Sequence, residues 1–396
     1  MAIGDHAFPS ETYSTASIAS NTNVRDVSNM LDFWAHTRTP VLNRIQWGEE
    51  SGGLVAEWVS EHLGWGYVQN SAALASASLT FVIKSLGTGF LRGSEQAKQT
   101  QPGTMLYFLG TGSARNLWVI TTMGTAGKTV TCSVLTGTSD SVTAATSMYI
   151  VGHFANEGSV SFGDTSRQRT LLSNKFAILR KDVKITGSQA ATDMYAVGRD
   201  DGAYQTSRRL IELQIEREWA VLYSSGQART STVASYMYGA YGYLNPLSAQ
   251  DWVDTSTTTL KESDVNDMVA TIWDNGAEGP LMLAGAQSQI RKFTQWDQDR
   301  VRTVPDARLA GHYITRYLTD VGIEIELIPL RQRPTNLLFL LDASNMKLRA
   351  KRGRKLIMRK DPPSTNDYDM YALISEYTLE MRGYERGLHA MWAALT

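Results

Sequence analysis

The sequence predicts an α+β protein in which one long helix is set among strand-rich segments. Three observations carry this reading. In the stretch 204–225, YQTSRRLIELQIEREWAVLYSS, Ile211, Ile215, Trp219 and Leu222 recur at four, four and three residues, which places them on one stripe of an α-helix. From 73 to 152 short apolar runs alternate with Gly- and Ser-bearing turns, the pattern of an antiparallel β module. After the long helix, helical and strand patterns take turns, as in an α/β layer.

Taken in order, residues 1–24 are rich in Ser, Thr, Ala and Asn without an apolar period. They read as an extended arm, or equally as a disordered tail. Val27, Met30, Leu31 and Trp34 share a helical face, and Thr39–Pro40 ends it, because a residue before Pro avoids the α region. Residues 54–70 read as a strand leading into a loop. The runs LTFVI, MLYFLG, NLWVITTM, KTVTCSVL and SMYIVGHF supply strands of the β module, which holds only seven charged residues between 73 and 152. The polar stretch 157–170 reads as a return loop. The stretch 174–187, NKFAILRKDVKITG, reads as one strand or two.

The long helix follows. Leu210, Leu213 and Tyr223 widen its stripe, and Arg208–Glu212 is an i,i+4 pair. Asp200–Asp201 suit its positive N-terminal end, and Gly226 suits the C′ position. The same period also fits an ordinary amphipathic helix of a globular domain. Beyond it, Thr259 and Glu262 form a capping-box signature. Leu260, Val265, Met268, Val269, Ile272 and Trp273 make the apolar face of the next helix. The run LMLAG reads as a buried strand and 286–296 as a further helix. HYITRYLTDVGIEIELIPL reads as a pair of strands, with NLLFLLD and NMKLRA after them. The end, YDMYALISEYTLEMRGYERGLHAMWAALT, reads as one or two long strands with a compact terminus.

Composition excludes several classes. The 396 residues, 19% charged and 42% hydrophobic, suit two or three folded domains. A net charge of −1 supplies no global field toward nucleic acid or membrane. No run approaches the ~20 apolar residues of a bilayer span, and the N-terminus lacks the basic and apolar regions of a signal peptide. The single cysteine, Cys132, forbids an intramolecular disulfide framework. Its alternating surroundings predict a buried apolar role. GTAGKT (124–129) lacks the first glycine of a phosphate loop, since that position is Thr122, and a strand pattern follows it. No two of the six histidines are three or four residues apart, so no local zinc pair exists. No G-x-S-x-G elbow occurs. The sequence therefore names no catalytic residue, metal or cofactor.

The strongest electrostatic feature is the acid-free segment 347–360. It contains Lys347, Arg349, Lys351, Arg352, Arg354, Lys355, Arg359 and Lys360. Three readings stand together: a solvated strand face, salt bridges to a neighbouring subunit, and contact with nucleic-acid phosphate. No aromatic residue interleaves with the charges, which weighs against single-strand binding.

Ordered pieces along the chain resemble tailed-bacteriophage major capsid proteins of the HK97-type fold, in their SU10-like branch. They are Arg25-Asp26-Val27-Ser28 followed by Thr39-Pro40, Glu57-Trp58, Glu157-Gly158, Asn174 to Gly187, then Arg208, Arg209 and Glu216. Thr259-Leu260, Leu281 to Gly285, and Ser375-Glu376-Tyr377-Thr378-Leu379-Glu380 complete the series. The last is the clearest, and departs from the family at Ser375, where Gly is usual. The stretch 73–152 matches poorly. The resemblance implies an N-terminal arm (1–45), an extended loop (46–175) carrying the β module as an insertion (about 73–152), and a peripheral domain (176–229) with a spine helix (204–225). An axial domain (230–345) and return strands (346–396) complete it. It further implies a non-enzymatic shell protein of the virion, assembled in host cytoplasm as pentamers and hexamers of an icosahedral or prolate head. Implied partners are other copies of the chain, a portal, scaffold and decoration proteins, and packaged double-stranded DNA held non-specifically, with no membrane. The alternative reading is a β-rich tail or decoration protein.

Overall fold

A computed structural model describes residues 39–396 except 62–65, 77, 84–99, 110–114, 125–128, 138–140, 145, 156, 159–168, 193–200, 229–233, 249, 278, 299–314, 332 and 362–366. The predicted arm, the helix before Pro40 and most of the 157–170 loop lie outside the described residues.

After a turn at 40–45 come β1 (Gln46–Trp47), β2 (Val55–Ser60), β3 (Tyr67–Gln69), β4 (Thr80–Val82), β5 (Thr104–Leu109), β6 (Arg115–Met123), β7 (Thr129–Thr136) and β8 (Ser147–His153). Next are β9 (Thr170–Lys175), β10 (Ala177–Thr186), α1 (Gly187–Ala190) and the long helix α2 (Asp201–Tyr223). β11 (Ser225–Gln227), β12 (Tyr236–Tyr238), α3 (Ala240–Leu244), β13 (Val253–Asp254), α4 (Glu262–Asp274), β14 (Leu281–Ala286) and α5 (Gln287–Gln298) follow. The chain closes with β15 (Arg316–Leu318), β16 (Glu324–Leu330), β17 (Leu338–Asp342), β18 (Met346–Ala350), β19 (Ile357–Asp361), β20 (Tyr368–Met381) and β21 (Ala390–Trp392). Strands dominate a mixed α/β chain. It divides into a smaller unit, which includes 181–212 and 358–373, and a larger one holding 39–180, 213–357 and 374–396.

In the larger unit a six-stranded sheet runs β13-β21-β17-β14-β16-β15. β14 pairs parallel with β16 and antiparallel with β17. Every residue of β14 and of β17 is buried, which explains why both read as continuous apolar runs rather than alternating ones. Helix α4 packs Val265, Met268, Val269 and Ile272 into this core. Trp273 does not share that face. One residue past Ile272 it has turned by about 100° and stands exposed. The capping box also lies two residues later than predicted. The Lys261 N–H donates to Asp264 Oδ2 (3.0 Å), and Glu262 instead accepts from the Tyr317 hydroxyl (2.9 Å).

A second sheet has the order β1-β18-β20-β10, with β19 also on β20. Asn174 at the end of β9 is buried and fully used. Its amide donates to Tyr238 O (2.9 Å) and Leu379 O (2.7 Å), while its oxygen accepts from the N–H groups of Tyr238 (2.9 Å) and Lys175 (2.8 Å). One side chain thereby joins β9, β12 and β20. Gly239 lies against the end of α2, where a Cβ would sit 2.5 Å from Ala220 O. Gly226 is left-handed (φ +77) but falls in β11, beyond the C′ position.

The predicted β module is a six-stranded antiparallel sheet, β3-β8-β5-β6-β7-β4. Its two outer strands meet: Asn70 bridges Ile83, and the Ser71 N–H donates to Val82 O (2.8 Å). The sheet closes on itself around its own core of Val68, Phe81, Leu106, Phe108, Trp118, Ile120, Val130 and Met148. Cys132 is buried here, and burial pushes its thiol up to about 12, in keeping with an inert apolar role. β7 begins at Thr129, so a strand follows the 124–129 stretch, most of which lies outside the described residues.

Helix α2 is present, but only part of the predicted stripe is its buried side, with Leu213 of the widened stripe buried as expected. Leu222 is buried as expected, whereas Ile211, Ile215 and Trp219 are only half-buried. Leu213 and Val221 are fully buried in the larger unit's portion; Gly202 and Thr206 are buried in the smaller unit's portion. At 100° per residue Leu213 lies about 200° round from Ile211, so burial follows the neighbouring chain rather than hydropathy alone.

Phe108 and Trp118 meet edge to face at 4.7 Å inside the β module. Trp118→Ala is expected to destabilise the module by about 3–5 kcal/mol, measured as a lowered urea midpoint for the protected amides of β5–β8 in hydrogen exchange.

Candidate functional site

The chemistry of the larger unit concentrates where the turn at 40–45 meets α2. Val41 and Ile45 are buried. The Val41 N–H donates to Glu218 Oε2 (3.1 Å), with the Leu42 N–H at 3.5 Å. Arg333 Nη2 reaches Glu218 Oε1 at 3.5 Å, and both side chains are almost fully buried, at 2% and 3% exposed. The Arg333 guanidinium lies 3.6 Å above the Trp219 ring. Burial pushes the Glu218 carboxyl up, opposed by the two N–H groups and by Arg333. Burial likewise lowers Arg333 and drives Tyr223 up to about 12. Arg44 forms a two-pronged pair with Glu326 on β16 and donates to Pro40 O (2.6 Å). The Glu326 carboxyl is held below its usual range by Arg44. The first described residues are therefore rooted by one buried and one half-exposed carboxylate.

The basic segment is balanced by its own chain. In the larger unit, Lys347 stands opposite Glu380 in register, and Arg349 reaches Glu380 (3.5 Å) and the carbonyls of Glu49 and Glu57 (3.2 and 3.1 Å). Arg354 pairs with Glu376 at 2.6 Å. Lys351 donates to Gly53 O and lies 5.3 Å from the Phe176 ring. Lys355 lies 4.3 Å over Trp47, which Arg217 also approaches at 5.3 Å. Arg352 is exposed beside Gly52. In the smaller unit, Lys360 pairs with Asp369 (2.6 Å) and Arg359 is exposed. Three of the eight cations, Arg349, Arg354 and Lys360, thus have carboxylate partners on the same chain. β20 supplies Asp369, Glu376 and Glu380. Trp47 does stack with the charges, an aromatic that lies 300 residues upstream and so escaped the local pattern.

Two charged residues of α2, Glu218 and Arg217, are taken up in contacts that the sequence analysis passed over. Arg217 donates to Ser375 Oγ (2.8 Å) and lies 5.1 Å from the Tyr377 ring. It also passed over His389, which is fully buried. The Asp342 N–H donates to Nδ1 (3.1 Å), which leaves the proton on Nε2 facing Arg382 O (2.9 Å). Burial lowers this imidazole to about 4. Among the described residues no group of three His, Cys, Asp or Glu side chains could hold a metal. No helix among them is long and apolar enough to cross a membrane.

The profile of the SU10 major capsid protein family matches residues 11–393. No curated protein sequence matches the chain. Among solved structures, the capsid of cyanophage A-1(L) is similar at a TM-score of 0.53 and 10% identity, over 96% of this chain and 98% of that one. A structure from Microbacterium phage Oxtober96 has a TM-score of 0.46 and 9% identity over 97% and 99%. The capsid of a native GTA particle has 0.46 and 8% over 97% and 98%. At 10% identity the likeness to the cyanophage capsid is one of fold.

Two predictions arise here. Glu218→Ala strands Arg333 in the interior and is expected to cost about 3–5 kcal/mol in urea unfolding. The second concerns pH. His389 stays neutral in the fold down to about 4, whereas an unfolded chain protonates it near 6.5. Its effect is absent above about pH 7, and stability falls as pH drops through that window. His389→Gln is expected to flatten the decline in melting temperature between about pH 6.5 and 5, where few carboxylates titrate.

Proposed function

The chain belongs to the SU10 major capsid protein family, and on that premise we propose that its copies close around one another as pentamers and hexamers to form the shell enclosing a phage genome. It is a structural virion protein and not an enzyme. The match of the family profile from 11 to 393 carries this reading.

The ribbon of β2 and β9 supports the assembly. Its two strands pair from Val55↔Lys175 to Ser60↔Thr170. Ala56, Trp58 and Leu172 turn inward, while Val59 and Leu171, opposite each other in register, are 59% and 62% exposed, and the preceding Leu54 is 87% exposed. Covering one such side chain stabilises by about 1.5–3 kcal/mol, so an isolated chain leaves an apolar face in water that another copy can cover. In this reading 46–175 is the extended loop with the closed β module as its insertion. α2 is the spine helix, whose half-buried Ile211 and Ile215 are available to a neighbour. The sheet β13-β21-β17-β14-β16-β15 belongs to the axial domain, β20 to the return strands, and 1–45 to the arm. Assembly in host cytoplasm, a portal, scaffold and decoration proteins, and non-specific contact with double-stranded DNA complete the reading. With much of the basic segment contacting its own chain, its DNA contact would fall mainly to the exposed Arg352.

The test is assembly. Wild-type chain is expected to sediment as capsomers or particles with shells in electron micrographs. Leu171→Asp is expected to keep the monomer's unfolding free energy within about 1 kcal/mol yet shift the sedimentation profile toward subunits. Normal particle yield from that variant would remove the ribbon from the contact.

A further inference from the structure

Three tyrosines stand side by side on the outside of the β module. Tyr67 of β3 is opposite Tyr149 of β8, and Tyr149 is opposite Tyr107 of β5. They form one row across three neighbouring strands, about 4.8 Å from strand to strand. The alternate residues Val68, Leu106, Phe108 and Met148 point into the core of the module, which turns the tyrosines outward. The Tyr67 and Tyr149 rings lie 6.0 Å apart. Tyr149 and Val151 are each 54% exposed and Leu109 is 55% exposed, so the row has an apolar surround. At its side Gln69 donates to Ser147 Oγ (3.2 Å), a neutral pair that satisfies itself. The module brings almost no charge to this face. Among its described residues from 66 to 153, Arg115 is the one Lys, Arg, Asp or Glu, and it stands opposite Leu109 at the start of β6. The carboxylates of Asp274 and Asp251 come near at the Tyr67 end, where burial and Tyr149 act first and they act next to push its hydroxyl up. Tyr149 is left as the exposed centre of the row.

We propose that this face is a contact between two copies of the chain, in which the tyrosine row of one packs against the same row of the other. Tyr is enriched and charge depleted in the cores of protein interfaces. The lack of charge selects the occupant. Around a two-fold axis each residue meets its own counterpart, so a charged side chain there is repelled by its own copy. A face meeting an unlike protein, or another copy head to tail, gains instead from opposite charges that steer and select the partner. This face has none to offer. Strand addition is closed to the module, because its outer strands already meet each other, and packing face to face remains. The proposal rests on the shell reading for bringing copies together, and adds the surface through which their β modules meet.

The experiment is cross-linking of the full-length chain with a short bifunctional maleimide, as particles and as concentrated dissociated subunits. Cys132, the single native cysteine, is buried. Tyr149→Cys is expected to give linked pairs on a denaturing gel about tenfold over Ser133→Cys. Ser133 is exposed on β7, three strands from β8 either way round the module. Tyr149→Glu and Tyr149→Lys, each alone, are expected to lower the urea midpoint at which particles dissociate. An equal mixture of the two is expected to recover it, because opposite charges then meet across the axis. A Tyr149→Cys variant that stays unlinked yet reacts with a one-ended maleimide leaves the face to a partner outside the chain. One that neither links nor reacts places a different surface of the shell over it. Both outcomes overturn the proposal, as does a mixture no firmer than its components. Should no particle form, the shell reading fails on its own, and linking in the concentrated subunits still decides the face.

Discussion

A single buried carboxylate, Glu218, holds together parts of the larger unit that are far apart in sequence. It receives the backbone of Val41 and the guanidinium of Arg333, 177 and 115 residues away. Removing a carboxylate from water costs several kcal/mol, so this residue is stable in its charged form only while both partners are present. The chain's entry at 40–45, the long helix and the turn after β16 must consequently be correct together. Arg44 repeats the link on the surface through Glu326, where water weakens it. Depth separates the two: the inner pair selects one arrangement, and the outer pair adds little beyond orientation.

The cation-rich segment follows the same logic of local compensation. A run of eight Lys and Arg within fourteen residues invites a reading in terms of phosphate. The fold instead sets β18 beside β20, whose Glu376 and Glu380 are themselves mostly buried. Those carboxylates need the arginines as much as the arginines need them. Opposite charges are thus paired locally here, Arg349 with Glu380 and Arg354 with Glu376.

Most elements were legible because their signals are local. The strands of the β module, the buried strands β14 and β17, and helices α2, α4 and α5 all follow from apolar period and turn residues. What stayed hidden depends on distance along the chain. Of the predicted stripe, Leu222 and the widening Leu213 face the core, whereas Ile211, Ile215 and Trp219 are half-buried and the unpredicted Val221 is buried, because packing partners as well as hydropathy decide which side is covered. Glu218 precedes the run Trp219–Tyr223, a hint that a charge was being carried inward, yet its partners could not be found by spacing. Capping slipped from Thr259 to Lys261 because Asp264 can reach back to the backbone as well as Glu262 can. Nothing local announces that Arg333 is buried against Glu218 and Trp219.

The ring made when Asn70 meets Ile83 has a further implication. Wherever many identical polypeptides are held side by side, any open strand margin is an invitation to exchange segments or grow into fibres. A module whose first and last strands hydrogen-bond to each other offers no such margin, so it can be carried at high density while each copy keeps its own strands.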